Sequence, residues 1–210
     1  MKTRTKALLL ALSAVLLVVS TVFVTLAFLT STTDVVTNTF SVGNVKITLD
    51  EAPVDVYGDP IEGNRRTENA YKLIPGHEYD KDPTIHVDPA SEACWIFVKI
   101  ENGISAIEKA GETTIAAQMA ANGWTPVEGL TNVYAYANKV DPAVSGADLD
   151  IEIFANFTVD GEAKLYADDG TTALYSADTP ITIIGYAVQA DGFNSAAEAW
   201  DAAPTDWTAQ

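Results

Sequence analysis

Between Ile151 and Val159 the chain sets apolar side chains at every second position, Ile151, Ile153, Ala155, Phe157 and Val159, opposite Glu152, Asn156 and Thr158. A helix would scatter such a set around its axis, whereas a strand gathers it on one face. Cys94, Ile96, Val98 and Ile100 repeat the pattern. There Trp95 and Phe97 occupy the opposite face, so the segment reads as a central strand covered on both sides. From Val45 to Asp50 the apolar residues are odd-numbered, while Phe40 and Val42 just upstream are even-numbered. A slip of phase at Gly43-Asn44 predicts a β-bulge there. Further strands are expected at 84–87, 133–139 and 181–190, which makes the chain mainly β.

Two segments depart from that period. In 113–122, Ile115 and Met119 stand four apart and Gly123 follows, the pattern of a short helix with a glycine stop. Ser195-Ala196-Ala197-Glu198 fits a capping box, so a helix is expected over 196–202, ended by Pro204. The stretch from Asp50 to Ala70 carries Pro53, Gly58, Pro60, Gly63 and the pair Arg65-Arg66, and reads as a long loop or a weak edge hairpin. No repeat of about 20 to 50 residues interrupts the chain. The architecture these features predict is an antiparallel β-sandwich with short helical excursions.

The first residues predict where that domain lives. Lys2, Arg4 and Lys6 precede an uncharged stretch from Ala7 to Thr33, mostly Leu, Val and Ala, with small residues near Thr25-Leu26-Ala27. A charged, an apolar and a small-residue region in that order is the pattern of a signal peptide over residues 1–27, cut between Ala27 and Phe28. The run is also long enough to span a bilayer as an uncleaved anchor. Either way the basic end stays inside and the domain from 28 to 210 goes outside. The expected location is therefore extracellular.

Cleavage would leave nine Lys and Arg against 29 Asp and Glu, a formal charge of 9 − 29 = −20. Such a surface repels nucleic acid, whose phosphates are bound by clustered Lys and Arg. Cys94 is the single cysteine, so no internal disulfide is available and its place in an apolar strand predicts a buried, inert thiol. A zinc-protease helix needs two histidines four apart with a glutamate between them, but His77-Glu78-Tyr79-Asp80-Lys81 has a lysine at the second position and prolines on both sides. His86, between Ile85 and Val87, falls on the polar face of a strand, and both histidines read as solvated surface residues. No Gly-x-Ser-x-Gly is present, and the carboxylate pairs Asp148/Asp150 and Asp168/Asp169 read as loop charges. Neither catalytic residues, nor metal ligands, nor a cofactor are predicted.

Several short motifs resemble a known group. The basic start, the run from Ala7 to Ala27 with Phe28-Leu29-Thr30, then Phe40-Ser41-Val42-Gly43, Tyr71-Lys72-Leu73-Ile74-Pro75-Gly76 and Val98-Lys99-Ile100-Glu101-Asn102 are similar in order to the TasA/camelysin family. The strand over 181–190 with Asp191-Gly192-Phe193 and Ala199-Trp200 resembles the last part of related domains; the Asp50 to Ala70 insert has no place in the family pattern. This resemblance implies a secreted protein processed by a SipW-type signal peptidase, with a jelly-roll-like sandwich that assembles into biofilm fibres alongside other matrix or cell-surface components. It also implies that residues 28 to about 40 are donated as a strand to a neighbouring copy, with Val36, Asn38 and Phe40 on one face. The competing expectations are an ordinary first strand in the chain's own sheet and a frayed terminus. Camelysin-like members are classed as metallopeptidases, which supplies one alternative function; a monomeric surface-binding module or adhesin is another.

Overall fold

A computed structural model of the chain describes residues 5–6, 10–16, 44–175 and 179–202. The chain divides into two compact units, Met1–Ser41 and Val42–Gln210. In the first, residues 5–6 and 10–16 are helical and exposed. Among the described residues no helix is long and apolar enough to cross a membrane. The predicted bulge at Gly43-Asn44 falls at the edge of the described residues, and Gly43 lies outside them.

The second unit is mainly β, built from several small antiparallel sheets and a few short helices. Strands β1 (Ile47–Asp50), β3 (Thr84–Val87) and β7 (Asp150–Glu152) form a three-stranded sheet in the order β1-β3-β7. Strands β2 (Glu78–Asp80) and β8 (Asn156–Thr158) pair with each other. A four-stranded sheet runs β5-β6-β4-β9, from β5 (Trp124–Pro126), β6 (Val133–Tyr136), β4 (Cys94–Asn102) and β9 (Ile181–Gln189). The order of these described strands does not by itself define a jelly roll.

Alternation decides what each sheet buries. Ile85 and Val87 of β3, Ile151 of β7, Tyr79 of β2, Phe157 of β8 and Ile96, Val98 and Ile100 of β4 meet in one core, each at most 5% exposed. Full burial of a side chain of this size contributes roughly 1.5–3 kcal/mol, so this cluster is the main favourable term of the fold. The opposite face of β4 is covered as its sequence predicts. Phe97, Ala135 and Ala199 form a second cluster with Trp95, Tyr186, Val188 and Trp200 around it, and the Phe97 and Trp200 rings lie 5.1 Å apart.

Both expected helices are present. Helix α1 (Ile115–Ala121) is capped by Thr114, whose side chain accepts from Ala117 N, and Gly123 follows it at φ +88°. Helix α2 (Ala196–Asp201) starts on Ser195, which accepts from Glu198 N at 3.3 Å. The reciprocal half of the expected capping box is shifted by one residue: Glu198 accepts from Asn194 N at 2.8 Å instead of from Ser195.

The stripe from Ile151 to Val159 is not one strand. Phe154 is buried and Ala155 exposed, which breaks the alternation, and the chain passes there from the sheet of β3 to the pairing with β2. Gln118 of α1 covers the crossing: its amide donates to Asn156 O and its carbonyl accepts from Ala155 N, at 2.9 and 3.0 Å. The insert from Asp50 to Ala70 is a weak hairpin with single bridges Glu51 to Arg66 and Val54 to Pro60. Gly58 at its tip is required there, because a Cβ at that position would lie 2.7 Å from Tyr79 Cα and φ is +83°.

Candidate functional site

The outer face of the three-stranded sheet carries the charge that its inner face excludes. Register places Thr48 opposite His86 and His86 opposite Asp150, with Asp50 opposite Thr84. Since neighbours two apart share a face, Asp50, His86 and Asp150 converge on the outside. His86 Nε2 lies 2.8 Å from Asp50 Oδ1 and Nδ1 lies 2.7 Å from Asp150 Oδ1. Arg65, from the hairpin, donates through Nε to Asp50 and through Nη1 to Asp82 at 2.7 Å, while its Nη2 reaches the Asp82 carbonyl at 2.9 Å. Asp82 in turn accepts from Ala52 N at 2.6 Å. One guanidinium thereby fastens the hairpin to the sheet.

The electrostatics follow from these contacts. Burial alone would lower the His86 pKa, but its hydrogen bonds to Asp150 and Asp50 outweigh it and raise the imidazole above its ordinary value. For Asp50 burial works upward, and the bonds from Arg65 and His86 overcome it and hold the carboxyl below the ordinary range. Behind this face lies a second pair. Lys81 donates to Glu51, both almost fully enclosed, with the Lys81 ammonium 5.7 Å from the centre of the Tyr71 ring. Burial, then the Glu51 charge, pushes the Tyr71 phenol up. Glu51 Oε1 is buried without a hydrogen-bond partner among the described residues.

A cleft of about 400 Å³ opens beside His86, between Lys46, Thr48, Asp88, Leu149 and Asp150. Of these, Lys46 and Asp88 pair with each other at 3.3 Å. Among the described residues β9 ends the four-stranded sheet. It pairs with β4 over all nine residues from Ile181 to Gln189 and contains neither a charge nor a proline. Strand edges of this kind are commonly blunted by lysine, proline or bulges, and β9 has none of the first two.

His86 is not the solvated surface histidine that its strand position suggests, because two carboxylates enclose it. His77 also has a partner: its Nε2 donates to Tyr57 O at 2.7 Å and its ring stands edge-on to Tyr79. Among the described residues no group of three His, Cys, Asp or Glu side chains is arranged to hold a metal ion. Cys94 is buried, and burial followed by the charge of Asp141 pushes its thiol up to about 11. Ala27, Phe28, Val36, Asn38 and Phe40 lie outside the described residues. Of the carboxylates named from sequence, Asp148 accepts from Asp150 N at 3.1 Å and Asp169 caps its own turn at Thr171 and Thr172.

No protein-family description matches the chain, and neither a curated protein nor a solved structure matches it.

Proposed function

We propose that this chain is a secreted structural subunit of an extracellular matrix, of the TasA/camelysin type, which associates with further copies of itself by strand exchange. The observation that carries the reading is β9, a nine-residue, uncharged, proline-free strand that, among the described residues, closes one end of its sheet. An extended segment can add to such an edge through backbone hydrogen bonds, with alternate side chains choosing the register. The segment from Phe28 to Phe40 has the composition for it. Val36 and Phe40 stand at alternate positions with Asn38 between, and the segment holds a single charge, Asp34.

In this reading the sheets take up the jelly-roll-like sandwich of that group when the donated strand is in place. A SipW-type peptidase frees Phe28 by cutting after Ala27, so assembly waits for export. The protein is not an enzyme, takes no cofactor, and has copies of itself and other matrix components as partners.

Electron microscopy of the purified exported form, with and without residues 28–40, tests this. Filaments are expected from the first and a folded monomer from the second. A synthetic peptide of residues 28–40 should bind the shortened protein, and Val36→Asp in that peptide should weaken binding by placing a charge where an apolar side chain enters. Filaments that persist without the segment exclude donation. A shortened protein that no longer folds shows instead that the segment belongs to its own sheet.

A further inference from the structure

The contacts around His86 demand a particular protonation state. A neutral imidazole has one N–H and one lone pair, yet both ring nitrogens here stand within 2.8 Å of a carboxylate oxygen. Only the imidazolium donates to both. With the proton gone, a lone pair faces a carboxylate at hydrogen-bond distance, and that contact becomes repulsive.

We propose that Asp50, His86 and Asp150 form a pH-operated clasp, which ties β1 and β7 across β3 while the imidazole is protonated and releases Asp150 when it is not. Asp150 is the end that lets go. Its side chain is 72% exposed and can turn to water, whereas Asp50 is 25% exposed and already shared with Arg65. Because His86 and Asp150 also line the cleft beside Lys46 and Thr48, release loosens one wall of that cleft.

The charges facing His86 come from every neighbouring element. On β1 this is Asp50, with Lys46 just before the strand; on β7, Asp150, with Asp148 just before it and Glu152 two residues on; from the hairpin, Arg65, itself held on Asp82. Lys46 is taken up by Asp88 and Arg65 by two aspartates, so the carboxylates dominate at the ring. His86 is raised, so its contribution is complete below the ordinary imidazole value and fades as pH rises through the folded value. Asp50 is lowered, so its share is complete above the ordinary carboxyl value and fades as pH falls through the folded one. The clasp is closed between those limits.

Imidazole resonances of the exported chain, followed by NMR from pH 4 to 9, provide the test, with His77→Gln used to assign the two rings. His86 should titrate above an ordinary histidine, and Asp150→Asn should move its midpoint down while the protein stays folded. Backbone amides of 149–152, corrected for the intrinsic pH dependence of exchange, should lose protection as pH passes the His86 midpoint. In Asp150→Asn that loss should vanish. A midpoint at or below the ordinary value, or one that Asp150→Asn leaves in place, overturns the clasp. Protection in 149–152 that ignores the His86 titration overturns the release.

Discussion

Strands β3 and β4 follow one another in the chain and share one core, yet they solve opposite problems. β4 is apolar on both faces, with Ile96, Val98 and Ile100 turned to the main core and Trp95 and Phe97 to the layer under α2. β3 is apolar on one face alone; its other face offers His86 to two carboxylates. β4 is held by area, which does not depend on pH, and β3 in part by charge, which does. A single mainly-β unit thus contains a fixed layer and a layer that answers to pH.

The largest effect that separates these layers is expected at Phe97. Its ring is fully buried against Trp200 and Tyr186, so Phe97→Ala removes transfer energy and leaves a cavity. A loss of about 4 kcal/mol is the expected scale, measured by denaturant unfolding and equal at pH 5 and pH 8. A loss that changed with pH would mean that β4 is coupled to the charged face, and the contrast between the two strands would fail.

Next in size is the buried pair behind the charged face. Lys81→Met strands Glu51 in a site where one of its oxygens already lacks a partner. Breaking such a pair costs about 3 kcal/mol, whereas replacing both members by apolar residues is often close to neutral. Adding Glu51→Leu to Lys81→Met should therefore recover most of the lost stability. If the double variant is no more stable than the single one, the pair is held by packing around Tyr71 and not by charge.

The strands that a sequence reveals are those long enough to show a period. β4 and β9 have nine residues each and β3 and β6 are marked by β-branched and aromatic residues, so all four are legible. β2 and β5 have three residues, too few for alternation to be visible. The stripe from Ile151 to Val159 misleads for a different reason: its inward residues are buried at both ends, but by two sheets, and periodicity carries no information about which partner a strand takes. The same gap hides the clasp. Asp50, His86 and Asp150 each read as outward and polar, and 36 and 64 residues separate His86 from its two partners. Only the register of β1 and β7 on β3 brings them together.

A smaller effect is expected at the start of α2, which covers the apolar layer. Ser195→Ala removes the hydroxyl that accepts from Glu198 N and should cost about 1 kcal/mol. The carboxylate of Glu198 still accepts from Asn194 N, so the helix keeps one of its two caps. Trp fluorescence from Trp200 reports whether the cover lifts before the core unfolds. Coincident transitions would make α2 part of the fixed layer.

The smallest effect, close to none, is expected when native protein is exposed to iodoacetamide at pH 8. Cys94 begins β4, with its thiol buried in the main core and pushed up to about 11 by burial and by Asp141. At that pH roughly a thousandth of such a thiol is thiolate, the form that reacts, against about a quarter of an ordinary one. Closure of the core lowers the rate further. The backbone around it is closed as well, since Cys94 N donates to Val140 O at 2.8 Å and Val140 N returns the bond to Cys94 O at 2.9 Å. Alkylation followed by mass spectrometry should therefore be slow in native protein and rapid in urea. Because Cys94 sits across from Gln189 at the end of β9, the native rate measures how often that end of the pairing opens. If it rises steeply as pH is taken from 6 to 8, beyond the tenfold per unit that thiolate formation supplies, the fixed layer responds to the titration of the charged one. If it follows thiolate formation alone, the two layers open independently, and the pH response stays confined to the face that carries His86.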